Sequence, residues 1–406
     1  MRSTRPSLPL ERPRCRAFGL AIAAGVGLWM AAPAKAQVAP DGSTAEPARV
    51  ERRVVSMGTH VDIAVAAANR GSALAASQMV VDSLDCAQER LSTWTADSEL
   101  ARFNRAPAGV PVELCVALAR ELSEALEWAR ATGGAFDPAV GALVALWDLR
   151  GAGRRPSQDE IALACADSTW RALAVEPGAS AGAFQGYRRN ARVTVEEGGF
   201  GKGAGLDAAL AALASAADPV HGARLSFGGQ VAWFGVADRV IAVAGPRDRA
   251  RALVHVDAPP GAVSAATSAN LRGPAGEGGE APRPHLLDPR TGEPAADFGS
   301  ATVFAPTALG ADALSTGCFV LGPDGALALA ERTAGVDVLL LIPTDGGTQL
   351  RFSHGLVGRV RAAPGFELVT GDGVTRVVPH PAPAAPSTAS PSIPPTDHVG
   401  DPHSLR

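Results

Sequence analysis

Between a short strand-like run, Val193–Val195, and a helical pattern, Gly203–Ala217, the chain reads Gly198-Gly199-Phe200-Gly201-Lys202-Gly203. Four glycines in six residues impose a tight turn. A glycine turn feeding a helix N-terminus can hold a phosphate on backbone N–H groups. A plain strand-to-helix turn uses the same residues, so the layout alone leaves both open. The pattern is not Walker A, because Gly203 and not Ser or Thr follows Lys202, and it does not fit the dinucleotide fingerprint either. The chain contains only two lysines, Lys35 and Lys202. A mobile positive charge inside a candidate anion cradle points toward function.

Around this turn, strand and helix patterns are mixed. Arg53–Ala66 partly alternates apolar and polar residues, as half-buried strands do, with a break at Met57-Gly58-Thr59. Ser72–Leu91 and Pro111–Ala131 repeat apolar residues three and four apart, and Gly133-Gly134 ends the second helix. Residues 151–182 read as a polar connection. Ala223–Ala244 predicts two strands about Gly228-Gly229, and residues 271–283 a loop. Ser300–Ala305 predicts a strand, Leu309–Leu321 a helix, and Val336–Ile342 and Gly355–Val360 closing strands. Asp372-Gly373-Val374-Thr375 reads as a hairpin turn. There is no internal repeat and no strict β-α-β alternation, which favours α+β over a doubly wound sheet.

The ends read differently. Residues 1–16 are Arg-rich, residues 17–32 are apolar, and Ala34 and Ala36 are small residues around Lys35. That three-part order predicts a secretory signal over 1–36, cleaved after Ala36. A retained membrane anchor is the alternative, although the run is short for a span of ~20 residues. Residues 37–49 form a polar lead-in, 50–378 the folded domain, and 379–406 a Pro-rich tail without periodicity, expected to be disordered. A periplasmic location follows. The net charge of −4 includes six basic groups and one acid in residues 1–36, so the remainder is more acidic still. With no basic block, nucleic acid is a poor partner. The 46% hydrophobic content supports a sizeable core. Cys86, Cys115, Cys165 and Cys318 follow the signal without a Cys-x-x-Cys pair. Three lie in helical stretches and predict small buried thiols, and their pairing is not readable.

Three further segments carry candidate chemistry. Asp312 and Thr316 are four apart on one helix face. A carboxylate and a hydroxyl there can share a hard cation such as Mg²⁺, which prefers few protein ligands plus phosphate oxygens. Taken alone, a pair at this spacing is usually a helix-start cap. His285, before Asp288-Pro289-Arg290-Thr291-Gly292, can shuttle protons or bind phosphate, or be an ordinary loop histidine. Phe136, in Gly133-Gly134-Ala135-Phe136-Asp137-Pro138, can stack a flat ring or pack in the core, as can Trp147. Neither Gly-x-Ser-x-Gly nor His-Glu-x-x-His occurs, so serine hydrolase and zincin chemistry lack support.

Taken in order, eight segments resemble the motifs of the ApbE family, the Mg²⁺-dependent FAD:protein FMN transferases. They are Met57-Gly58-Thr59, Leu91–Asn104, Thr132–Trp147, Gly198–Asp207, Ser226–Gly235, Thr267–Asn270, His285–Pro294 and Ala311–Gly322. The resemblance runs from about Val55 to Val360. It implies a two-lobed α+β fold with FAD, the substrate, in the cleft between lobes. It implies transfer of FMN to a Thr or Ser hydroxyl of a target protein as a phosphoester, with release of AMP. Asp312, Thr316 and the Gly199 carbonyl would hold Mg²⁺. Met57, Trp94, Ala135, Phe136, Asp137, Glu196, Lys202 and Leu287 would line the FAD site. His285 and Asp312 would be the catalytic groups, His285 as base or charge stabiliser. The acceptor would carry an Asp-Gly-x-Thr/Ser-Gly-Ala-Thr-like sequence in an exported or membrane redox protein.

The same site with water as acceptor would be an FAD pyrophosphatase releasing FMN and AMP. A non-catalytic FAD-binding protein is the third reading, against which the intact Asp312/Thr316 pair argues. The chain departs from the family pattern at Trp94 for Tyr, Glu196 for Asp, Gln230 for an acid, Ala269 for Gly and Ala139 for Thr. None removes an implied metal ligand. They bear on FAD affinity and target choice more than on reaction type.

Overall fold

The computed structural model describes residues 46–167, 169–270 and 285–380. The expected signal, most of the lead-in, the 271–283 loop and residues 381–406 of the expected tail lie outside them. The first strands, β1 (Ala48–Ser56) and β2 (Thr59–Ala67), form a hairpin with Ser56 opposite Thr59. Met57 and Gly58 turn it with φ of 43° and 75°, the positive pair that matches strand twist in a two-residue turn. Strand β1 therefore takes in Ala48 and Arg49 of the segment read as lead-in.

Helix α1 (Arg70–Leu91) starts at Asn69, whose side chain accepts from the Ser72 N–H. After α2 (Glu99–Arg105) come β3 (Val112–Leu114) and α3 (Val116–Ala131). The pattern over 111–131 predicts one helix; its first residues are strand, because Cys115 caps α3 by accepting from the Leu118 N–H. The polar connection predicted over 151–182 also contains regular structure. Following α4 (Gly141–Leu146) are α5 (Gln158–Asp167), β4 (Leu173–Pro177) and β5 (Phe184–Arg188). These elements are short and half-exposed, so they carry little apolar periodicity. Val193–Val195 forms only an isolated bridge from Thr194 to Val140.

The glycine turn leads into α6 (Gly201–Ala214). Three strands, not two, follow: β6 (Val220–Phe227), β7 (Gln230–Gly235) and β8 (Val240–Ala244). Then come β9 (Ala252–Asp257), β10 (Ser264–Ala269) and β11 (Ser300–Ala305). Helix α7 (Ala308–Arg332) breaks at Gly322, φ 74°, before Pro323. Its first half carries Asp312 and Thr316. It is the one helix among the described residues long and apolar enough to cross a membrane, and half of that stretch is buried inside the protein. The chain closes with β12 (Asp337–Thr344), β13 (Gly347–Phe352), β14 (Val360–Ala362), β15 (Phe366–Gly371) and β16 (Val374–Pro379). The strand predicted at Gly355–Val360 is instead a 3₁₀ turn, His354–Leu356, ahead of β14. Asp372 and Gly373 turn the last hairpin with positive φ, as expected.

Ten strands make one antiparallel sheet in the order β1-β2-β6-β7-β10-β11-β12-β13-β16-β15. Helices α1, α6 and α7 cover one face. Ala301, Val303 and Leu340 meet Leu314 and Phe319 of α7 there. On the other face Phe304, Leu339 and Leu341 meet Val254 and Val256 of a small β14-β9-β8 sheet. Strand β11 is thus covered on both sides, which is why Ser300–Ala305 is buried throughout and does not alternate. A third sheet, β3-β5-β4, packs with α3 around Phe103, Leu114, Leu118, Leu122 and Leu173. The strand pairs within these sheets are antiparallel, and α1, α6 and α7 gather on one face of the largest, so the α+β expectation holds.

Candidate active site

The N-terminal ends of α6 and α7 lie side by side because Gly203 lacks a side chain. A Cβ there would stand 2.3 Å from the Ala308 carbonyl oxygen. The Gly203 N–H donates to Asp312 Oδ2 at 3.1 Å. One helical turn on, Asp207 accepts from the Ala308 and Leu309 N–H groups at 2.7 and 2.8 Å. Thr307 accepts from the Gly310 N–H at 3.0 Å. The first amides of α7, which have no partner within the helix, are therefore bonded by two side chains.

Desolvation pushes the Asp207 carboxyl up to about 6; the two N–H bonds oppose it, and Glu124 and Glu121 add to it. The folded state thus holds this proton more tightly than an unfolded chain with the ordinary 3.8. Its stabilising contribution is full below ~4 and is lost as pH rises through about 6. Asp207→Asn is expected to flatten that part of the curve. Urea midpoints of the wild type should fall more steeply from pH 5 to 7 than those of the variant; parallel slopes would refute the assignment.

Lys202 Nζ lies 3.2 Å from Asp312 Oδ1, and Asp312 is 5% exposed. Thr316 is one turn further along α7. A Cβ on Gly199 would lie 3.8 Å from Thr316 Oγ1 and 3.2 Å from the Phe136 ring. Gly199, Lys202, Asp312 and Thr316 therefore converge. The donors available for a metal are a carboxylate, a hydroxyl and the backbone of the turn, all oxygen, and the Lys202 ammonium already sits as a cation against Asp312. Such a set fits Mg²⁺, with phosphate oxygens completing the shell. Among the described residues no group of three or more His, Cys, Asp or Glu could hold a metal.

Beside this centre opens a cleft of ≈ 550 Å³ bordered by Met57, Gln88, Trp94, Glu197 and Lys202. Met57 is fixed by its N–H to Gln88 Oε1 at 2.6 Å. Trp94 is 71% exposed. Behind it, Glu196 accepts from Thr93 Oγ1 at 3.3 Å and pairs with Arg150. Burial, then the neighbouring Glu197, raises the Glu196 pKa, and Arg150 opposes both.

Of the residues expected to line the FAD site, some border the cleft, some are buried, and Glu196 lines a separate cavity with Arg150. Met57, Trp94 and Lys202 border the cleft. Ala135, Phe136, Asp137 and Leu287 are buried. Phe136 packs under the turn, its ring against Gly199 and its Cβ against Gly317. Asp137 accepts from the Ala139 and Trp170 N–H groups, and desolvation pushes its pKa to about 6. Leu287 packs with Leu143, Trp147 and Ile161. Of these four, Phe136 is the one that touches the glycine turn, and none borders the cleft. His285 is exposed and opens the segment whose Ala295 carbonyl accepts from Asn270 at the end of β10. Partial desolvation, with the Arg249 charge, lowers its pKa from the ordinary value.

Several participants escaped the sequence reading. Ser268 Oγ lies 2.8 Å from Ser315 Oγ and 3.5 Å from Thr316 Oγ1; its only signal was membership of Thr267–Asn270. Thr93 had only its membership of Leu91–Asn104, and Gln88 and Arg150 stood in no pattern that marks a site.

One carboxylate, one ammonium, one hydroxyl and backbone groups thus meet at the N-terminal ends of two helices packed on an antiparallel sheet, an arrangement able to hold a phosphate and a hard cation. The ApbE family profile matches residues 57–340, and the chain belongs to the ApbE family. It is 32% identical over 289 residues to the FAD:protein FMN transferase of Treponema pallidum, covering 67% of this chain and 77% of that one. To the Salmonella typhimurium FAD:protein FMN transferase it is 30% identical over 319 residues, 76% and 89% of the two chains. The fold is similar to the flavin transferase ApbE from Vibrio cholerae, with a TM-score of 0.65, 25% identity and coverage of 77% and 99%. It is also similar to the ApbE protein of Thermotoga maritima, with a TM-score of 0.64, 26% identity and coverage of 76% and 97%.

Proposed function

We propose that this chain is an FAD:protein FMN transferase that moves FMN from FAD to a Thr or Ser hydroxyl of a partner protein as a phosphoester, releasing AMP. The observation that carries the reading is the convergence of Lys202, the Gly203 N–H, Asp312 and Thr316 beside a cleft of nucleotide size. Phosphoryl transfer is mostly positioning and charge neutralisation. Lys202 would bind a pyrophosphate oxygen, and the glycine turn would offer backbone N–H groups to another. Asp312, Thr316 and the Gly199 carbonyl would hold Mg²⁺. A cation held by these residues would supply charge neutralisation for the pyrophosphate. His285, whose pKa desolvation and the Arg249 charge lower, would be the group to accept the proton of the incoming hydroxyl.

The acceptor we infer is an exported or membrane redox protein with an Asp-Gly-x-Thr/Ser-Gly-Ala-Thr-like sequence. We further infer action in the periplasm. Its support is the Arg-rich, apolar and Ala34/Ala36 order of residues 1–36.

The test is incubation with FAD and Mg²⁺, with and without a peptide carrying that acceptor sequence, following AMP and the mass of the peptide. FMN on the peptide supports the transferase. AMP with free FMN alone makes the chain a pyrophosphatase, and bound FAD without AMP a binding protein. Lys202→Ala is expected to raise the Kd for FAD about tenfold, ~1.4 kcal/mol, because its ammonium is a quarter exposed and partly screened. An unchanged Kd in titration would remove Lys202 from the phosphate site.

A further inference from the structure

We propose that Arg150 is a positioning residue that holds Trp94 as a stacking wall for a flat ring of FAD. The inference rests on FAD as the ligand, not on transfer to protein. Trp94 is 71% exposed, which leaves a large apolar face in water unless something covers it. One face is covered: the Arg150 guanidinium carbon lies 4.5 Å from the ring centroid, the stacked arrangement of a cation on an indole. Trp94 borders the cleft and Arg150 does not. Arg150 instead lines a separate cavity of ≈ 220 Å³ with Asn104, Asp148 and Thr194. The guanidinium thus backs the indole, and the remaining face is left to the cleft.

Arg150 is itself held from several sides. Its Nη1 donates to the Thr93 carbonyl at 3.2 Å, and its Nη2 bonds Thr93 Oγ1 and Glu196. Glu197 Oε2 is 3.9 Å away. The turn that presents it is tight and strained. Asp148 has φ 49°, and its carbonyl accepts from the Gly151 and Gly153 N–H groups at 3.1 Å each. Trp147 Nε1 ties the same turn to the Gly292 carbonyl at 2.8 Å. A non-glycine residue kept at positive φ is a cost that surrounding contacts must over-determine. The planar fork also matters, since only arginine can lie flat on a ring while bonding a carboxylate and a hydroxyl. It further offsets Glu196 and Glu197, two adjacent carboxylates beside a site for an anionic ligand.

The test is a double-mutant cycle on FAD affinity, read by flavin fluorescence titration of the full chain with Trp94→Ala, Arg150→Met and the pair. Each single change is expected to raise the Kd about tenfold, and the pair little beyond either single. Arg150→Lys is expected to stay within threefold of Arg150→Met, because charge without the planar stack does not hold the ring. A Kd for Arg150→Met within twofold of wild type, or single losses that multiply in the pair, would overturn the proposal. If Arg150→Met melts below the assay temperature, Arg150→Gln takes its place in the cycle under the same criteria. FAD binding with coupling but without FMN on a peptide would sink the transferase reading and leave the wall standing. FMN on the peptide without coupling would do the reverse.

Discussion

Asp312→Ala is expected to lower Mg²⁺-dependent AMP release from FAD about a thousandfold, ~4 kcal/mol of transition-state stabilisation. The size follows from the composition of the centre. Asp312 is the one carboxylate bonded to both Lys202 and the Gly203 N–H. Thr316 and a backbone carbonyl contribute no formal charge, so the alanine variant would leave a divalent ion without an anionic protein ligand. The fold should tolerate the change. The Lys202 side chain is 25% exposed and can hydrate when its partner is removed. Binding should move in a different direction from turnover: without Mg²⁺, removing a carboxylate next to the pyrophosphate should leave FAD affinity equal or higher. With Mg²⁺, the ion's effect on affinity should disappear. AMP release within tenfold of wild type, still rising with Mg²⁺, would remove Asp312 from the metal site.

What the sequence disclosed depended on how each element is covered. The β1–β2 hairpin alternates because one of its faces meets α1 and α6, so its pattern and its Met57-Gly58 turn were both legible. Strand β11 was legible as a short apolar run because both faces are buried. Helix α5 and strands β4 and β5 were not, since they are short and half-exposed. Strand β3 was hidden because Cys115, rarely a cap, starts α3 with its thiol. The thiols themselves were only partly as expected: Cys318 is buried, while Cys86 and Cys165 are half-buried and Cys115 is exposed.

For the site, chemistry that lies within one segment was readable and chemistry that crosses segments was not. The four-residue spacing of Asp312 and Thr316 announced a shared face. Nothing local announced that Asp207 would bond the first amides of α7, 101 and 102 residues away in sequence. The departure at Gln230 becomes intelligible only in three dimensions. Its amide donates to the Ala308 carbonyl at 2.7 Å and to Ser264 Oγ at 3.1 Å, bonds that an ionised carboxylate could not donate. Gln230, Asp207 and Gly203 all act on the first residues of α7. The geometry of the candidate site is therefore set as much by how α7 begins as by the Asp312 and Thr316 side chains it carries.

That dependence makes Gly203→Ala the sharpest structural test. Alanine favours a helix over glycine by ~1 kcal/mol, so on propensity alone the variant would be stabilised. Sterics oppose this. The new Cβ would meet the Ala308 carbonyl at 2.3 Å, with the carbonyl carbon and Leu309 Cα at 2.6 Å. Ordinary contact begins near 3.4 Å, so α6 and α7 must part by about 1 Å, and all three obstacles are backbone. Overpacking of this kind costs about 3 kcal/mol. The balance is a net loss of ~2 kcal/mol, a drop in Tm of several degrees. The effect on turnover should be larger than on stability. Parting the helices lengthens the Gly203 N–H bond to Asp312 and draws Lys202 from its partner, and a 1 Å misplacement costs about a hundredfold in rate. Thermal unfolding and AMP release measured on the same preparation check both parts. A variant as stable and as active as wild type would mean that the two helix starts are not in contact. A destabilised variant with full activity would mean that their contact does not set the position of Asp312.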